Sequence, residues 1–180
     1  MKIETIIPQP VIRTERFDLR PLRCSDADLI ERHTSDERLA RMTTAIPHPL
    51  PPGTSEAFVA RAMARDRPSD VWAMDGTKSG GAEVMGVVSL AKLDRNQSEV
   101  GYWVAPAYWN TGLASDAVKA LVNANPLGSE TMFASVFQDN PASARVLIHC
   151  GFEYLGDAES FCVARDEAVP TWTYSCRLKR

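Results

Sequence analysis

The sequence is poor in the residues that build metal centres, disulfide frameworks and membrane spans. Its four cysteines, Cys24, Cys150, Cys162 and Cys176, stand far apart with no C-x-x-C pair. That spacing argues against a zinc ribbon and offers no disulfide framework, so we expect free, buried thiols. His33, His48 and His149 fall at no spacing that suggests a metal site or a dyad; His48, in a proline-rich loop, could meet a substrate, but a solvated loop histidine is the expected reading. No apolar run approaches the ~20 residues of a membrane span, which leaves no membrane partner. Glu4 and Pro8 interrupt the start of the chain where a secretory leader needs an unbroken apolar core, so the expected location is the cytoplasm. Repeats, low-complexity tracts and linker-like stretches are missing too, and we expect a single domain over residues 1–180. Excess positive charge is also lacking. The net charge of −3 runs against the basic face of a duplex nucleic-acid binder, whereas a basic or amine-bearing partner suits it better.

What the chain does have is enough apolar content for a core of its own. It is 180 residues long and 44% hydrophobic, a size at which about 70% of the unfolded surface is buried. Phe17, Leu19 and the Pro21-Leu22 end make a first strand. Ser25-Asp26-Ala27-Asp28 reads as the N-cap and acidic first turn of a helix toward His33, and Ser35-Asp36-Glu37 opens a shorter one. Ile46 to Gly53, rich in proline, is a surface loop of the kind that borders substrate sites. Thr54 begins a helix with Phe58, Val59, Ala62 and Met63 on one face and Arg61, Arg65 and Arg67 solvated. Strands follow at Val71–Met74 and Glu83–Leu93, then Thr131–Phe137, a helix over Pro141–Cys150, and a closing pair over Phe152–Val163 and Thr171–Leu178. This order predicts an α/β mixed sheet, mostly antiparallel, with helices on both faces.

The most informative stretch runs from Val100 to Ala114. Val100, Tyr102 and Val104 alternate with Gly101, Trp103 and Ala105 as in a strand, and Pro106 closes it. Ala114, Ala117, Val118, Leu121 and Val122 then put one apolar stripe on a helix from about Gly112 to Asn123. The first-turn N–H groups of such a helix have no partners within it and point outward at the positive end of its dipole. Thr111, Gly112, Leu113, Ala114 and Ser115 therefore offer an anion a main-chain site, with no Lys or Arg in the stretch. The same small residues can equally serve only to make the turn.

The stretch resembles the acetyl-coenzyme A binding motif of the GNAT N-acetyltransferases. The residues that carry the likeness are Gly101-Tyr102-Trp103-Val104, Trp109 to Ala114 and Asp116-Ala117. Arg13 to Leu22, Asn140 to Leu147 and Gly151-Phe152 are similar to further parts of the Rim-type branch, whose best-known members acetylate ribosomal-protein N-termini, so the likeness spans nearly the whole chain in order. It implies the GNAT fold, in which the parallel strands before and after the central helix splay apart to admit the pantetheine arm. Acetyl-coenzyme A is then the donor and an amine the acceptor, either a small molecule or a protein N-terminus, with direct transfer while both are bound. The same likeness implies that Tyr102, Trp103, Val104, Asn110 and Asn140 contact the cofactor and that a homodimer is possible. Gly101 is a candidate bulge starting the splay, or simply a glycine in a strand.

Acetyl transfer requires that both reactants be held in line, that the amine be neutral, and that the oxyanion and departing thiolate be stabilised. A main-chain N–H near Val104 is the candidate oxyanion donor. Glu99 shares a strand face with Gly101 and Trp103 and is the candidate base, although an exposed strand glutamate fits the pattern equally. Ser143 falls in the first turn of a helix capped by Asn140 and opened by Pro141. It either helps the cap or, as the resemblance implies, faces the thiol. The chain departs from the family pattern at Leu147, where many members carry a tyrosine acid, at Leu155 before Gly156, where many Rim-type members carry a glutamate, and in the loop at Trp109-Asn110-Thr111. Those departures keep open a non-catalytic acyl-coenzyme A binding or sensing module.

Overall fold

The computed structural model describes residues 8–179. The reading of the leader rests chiefly on Met1 to Ile7, which lie outside them. Period-two sequence builds one eight-stranded sheet: β1 (Ile12–Arg13), β2 (Asp18–Pro21), β3 (Ser69–Asp75), β4 (Gly86–Leu93), β5 (Gln97–Val104), β6 (Thr131–Phe137), β7 (Glu153–Cys162) and β8 (Glu167–Arg177). Their spatial order is β1-β2-β3-β4-β5-β6-β8-β7. Every neighbouring pair is antiparallel except β5 and β6. A parallel pair needs a long crossover, and α4 (Leu113–Ala124) supplies it. β1 escaped the sequence reading because two residues are too short to show a period.

Helices cover both faces. On one, Leu113, Ala117, Val118 and Leu121 of α4 and Ala144 and Leu147 of α5 (Pro141–His149) join Val100, Val104, Met132 and Tyr174 in the larger core. On the other, Ile30 of α1 (Ala27–Thr34) and Val59 and Ala62 of α3 (Thr54–Met63) pack on Val71, Ala73 and Val87. A four-residue helix, α2 (Glu37–Ala40), leads into the proline-rich loop. Each buried leucine or valine contributes about 1.5–3 kcal/mol relative to exposure, so the two stripes fix which side of the sheet each helix takes.

The Ser25-Asp26-Ala27-Asp28 start of α1 supplies the acidic first turn at Asp28 but no side-chain cap: Asp26, at the N-cap position and wholly buried, accepts the Arg23 N–H at 2.9 Å and both Nη groups of Arg20 at 2.8 and 2.9 Å. A buried carboxylate is stable only when so paired, and Arg20, which also holds Asp75 at 2.7 Å, ties β2, β3 and the α1 entrance together. Nor are the thiols uniformly buried: Cys24 is exposed and Cys150 half-buried. Among the described residues, no helix is long and apolar enough to cross a membrane.

Candidate active site

The site starts where β5 and β6 part company. They pair at Gln97–Thr131, Ser98–Met132 and Glu99–Phe133, and no further, although β5 continues to Val104 and β6 to Phe137. On its other edge β5 stays in unbroken register with β4 from Leu93–Gln97 to Gly86–Val104. Gly101 therefore sits opposite Ser89 with no bulge, and since β6 likewise keeps its register with β8, the split opens between two strands that each stay paired on their outer edge.

The Ala105 N–H donates to the Met85 carbonyl at 2.9 Å. Antiparallel pairs alternate between bonded and non-bonded, so Trp103 and Gly101 turn their peptide groups to β4. Tyr102 and Val104 turn theirs into the gap. The Val104 carbonyl is met there by the Trp109 indole N–H at 2.7 Å. Trp103 lines the cleft with its side chain, edge-on to His33 at 6.3 Å between ring centroids.

Beyond β5 the chain makes one tight turn, Pro106–Tyr108, and enters α4 through two left-handed residues, Asn110 (φ 60°) and Gly112 (φ 80°). At Gly112 a Cβ would be both strained and only 3.3 Å from Arg16 Nη2. The Arg16 guanidinium donates to the Thr111 carbonyl at 2.9 Å and pairs with Asp116 at 2.8 Å, both partners about half exposed. A cation thus stands beside the mouth of α4, a correction to the expectation of main chain alone. It comes from the β1–β2 connection, 95 residues away in sequence from Thr111, a distance at which no local pattern betrays it.

Between β5, the end of β6, α5 and the loop after α2 lies a cavity of about 390 Å³. Glu99, Gly101 and Trp103 line it from the α1/α3 side, joined by Phe58 and by Met42 to Ile46. Tyr102, Asn140 and Ser143 line it from the α4/α5 side, with Ser135, Ser160 and Thr171 along its far wall. Glu99 is exposed and is the one ionisable carboxylate on this lining, which carries no Lys, Arg or His. The Thr171 hydroxyl is buried with no partner among the described residues, an unmet polar atom of the kind that a ligand or water satisfies. Asn140 accepts the Ser143 N–H at 3.4 Å as the α5 cap. Ser143 Oγ lies 2.7 Å from the Tyr102 hydroxyl. Burial pushes that phenol up to about 12, against a lowering by the Ser143 hydrogen bond.

The sequence-named residues thus fall in two places. Tyr102, Trp103, Asn140, Ser143 and Glu99 share the cleft; Asn110, Thr111, Gly112, Leu113, Ala114 and Ser115 form the mouth of α4, outside that lining. Leu147 lies one turn along α5 from Ser143 and is wholly buried in the core, with no exposure to the cleft.

This geometry has known counterparts. Residues 16–153 match the acetyltransferase (GNAT) domain. YoaA, an uncharacterized N-acetyltransferase of Bacillus subtilis strain 168, is 25% identical over 171 residues, which cover 92% of this chain and 96% of YoaA. The microcin C7 self-immunity acetyltransferase MccE, solved with acetyl-coenzyme A and AMP, shares the fold at a TM-score of 0.79 and 14% identity, over 92% of this chain and 94% of that one. RimL, a ribosomal L7/L12 α-N-protein acetyltransferase solved with coenzyme A, does so at 0.78 and 14%, over 94% and 98%. The family match runs from just before β2 to the first residue of β7 and takes in the split strands, the α4 mouth and the α5 cap, and the chain belongs to the GNAT acetyltransferase family.

Proposed function

We propose that this chain is an acetyl-coenzyme A dependent N-acetyltransferase whose acceptor is a primary amine, either a protein N-terminus or a small molecule. The observation that carries the reading is the split itself: β5 and β6 separate after Glu99–Phe133 directly before the loop into α4, so an open strand edge and a helix mouth adjoin. The residues fit the donor. The α4 mouth, with Gly112 leaving the backbone bare and Arg16 alongside, suits a diphosphate. The peptide groups of Tyr102 and the N–H of Val104 suit an amide-bearing arm laid in the gap as a guest strand. When bound, acetyl-coenzyme A would supply the acetyl group as a thioester.

The chain's own residues have three tasks. Positioning both reactants is the largest, worth about 7–11 kcal/mol when complete. Glu99, exposed on the acceptor side, accepts the proton that the amine loses, directly or through one water. A relayed, weak base suffices for an α-amine, whose pKa of about 8 leaves roughly a fifth neutral near physiological pH; a lysine near 10.4 is about a thousandth neutral. Ser143, at the positive end of α5, faces the place where the sulfur departs.

The test is a pair of measurements. Acetyl-coenzyme A should raise the melting temperature in proportion to the logarithm of its concentration, and a panel of amines should release free thiol from it. A shift with no release from any amine would mark a binding module instead. No shift at all would end the reading.

A further inference from the structure

Tyr102 reaches from β5 to α5 by hydrogen bonds. Its hydroxyl meets two oxygens of Ser143, Oγ at 2.7 Å and the main-chain carbonyl at 3.1 Å. A phenol has a single proton to give. The carbonyl lies within α5, where residue 147 four positions on supplies its helical partner. The Oγ distance is the optimum for O–H···O, and 3.1 Å is beyond it. A phenol is also far more acidic than an alcohol, so it is the better donor of the two and the poorer acceptor. The favoured arrangement is therefore Tyr102 donating to Ser143 Oγ.

That leaves the proton of Ser143 free. Among the described residues Ser143 Oγ has no bonded partner other than Tyr102, and Ser143 lines the cleft beside Asn140. We propose that Tyr102 is a positioning residue: its hydroxyl holds the Ser143 hydroxyl with the proton turned into the cleft, as a donor to the sulfur of the bound thiol. When the acetyl carbon has bonded to the amine nitrogen and the carbon–sulfur bond breaks, the electron pair stays on sulfur and is met by this hydrogen bond, with no proton leaving Tyr102 or Ser143. Burial raises the phenol to about 12, so it remains a donor throughout the range in which a thiol ionises. The inference rests on the coenzyme A reading above.

The experiment uses the whole protein and needs no acceptor. Calorimetry gives the affinity for coenzyme A as pH rises through the thiol range, with S-methyl coenzyme A, which has no ionisable thiol, as the baseline. The baseline subtracts the other groups around Tyr102: Cys150, pushed up to about 11 chiefly by burial, with Lys119 and Asp116 of α4 near it, and Glu99 across the strand. A donor aimed at the sulfur lowers the bound thiol by about one unit, so binding of coenzyme A tightens about tenfold relative to the baseline. Tyr102→Phe should cut this to about twofold, Ser143→Ala likewise, and the double variant no further, since the two act as one unit. Uniform 3-fluorotyrosine, which keeps the shape and strengthens the phenol as donor, should deepen the effect in the wild type and not in Ser143→Ala; it serves if Tyr102→Phe does not fold. Binding with the same pH response in wild type, Tyr102→Phe and the fluorinated protein would overturn the proposal alone. No binding of coenzyme A by the wild type would overturn it together with the proposed function.

Discussion

The two faces of β5 meet the cleft with different materials. Toward α4 and α5, what lines the way in is mostly main chain: the peptide groups of Tyr102, the N–H of Val104 and the first turn of α4, with Tyr102 and Ser143 adding one hydroxyl pair. Toward α1 and α3 it is side chains from separate segments, Glu99 and Trp103 of β5, Phe58 of α3 and Met42 to Ile46 of the loop after α2. A main-chain site tolerates changes of side chain so long as glycine stays where φ is positive. A side-chain site can be remade one residue at a time. The first kind suits a donor common to a whole family, and the second suits an acceptor that differs between members.

The loop after α2 is held from far along the chain. Arg165, in the β7–β8 turn, donates to the Arg41 carbonyl at 2.9 Å, pairs with Asp139 at 2.5 Å, and lies 5.1 Å from the Phe137 ring centre. The Val163 N–H reaches the Thr44 carbonyl at 3.0 Å. The clasp fastens the closing hairpin to the loop that lines the α1/α3 side of the cleft.

If the two faces divide the work in this way, single changes should separate donor from acceptor. Gly112→Val is the most severe: a β-branched residue at φ 80°, crowding Arg16, costs about 1–2 kcal/mol in backbone strain alone. It should abolish the melting shift by acetyl-coenzyme A, about 2.7 kcal/mol of stabilisation at a hundred times the dissociation constant. A preserved shift would show that the α4 mouth is not where the donor binds. Glu99→Gln should leave that shift intact and lower kcat about a hundredfold, with loss of the acidic limb of the pH profile; an unchanged profile would remove Glu99 from the role of base.

Arg165→Ala should act least and only on the acceptor side, raising its KM about three- to tenfold at unchanged donor affinity. The hydrogen bond from Arg165 holds the Asp139 carboxyl below the usual carboxylate range. A depressed carboxylate contributes above its unfolded pKa and loses that contribution as pH falls through the folded one. The wild-type acceptor KM should therefore rise only as pH falls below the usual carboxylate range, and the Arg165→Ala variant should show no such step. Equal loss of donor and acceptor binding in Arg165→Ala would mean that the two faces are not independent.

Local chemistry made much of this legible in advance. The alternation in β5, the apolar stripe of α4 and the Asn140-Pro141 start of α5 each depend on neighbours within a few residues; α4 and α5 stand within a residue of where the patterns put them, while β5 begins earlier than its alternation, at Gln97. Glu99, Gly101 and Trp103 share a face because side chains alternate. Arg16 beside Gly112, Arg165 over the loop and the Tyr102–Ser143 contact could not be read, since each joins residues 41 to 124 positions apart.

The sequence alone determined the periodic elements, the bare glycine at the α4 entrance and the capped start of α5, because those follow from φ/ψ limits and from the spacing of apolar side chains along one chain. Only the tertiary structure decided where β5 and β6 separate, which cation attends the helix mouth and which hydroxyl Ser143 meets. Those depend on how strands packed between different helices diverge, and that is a property of the whole sheet.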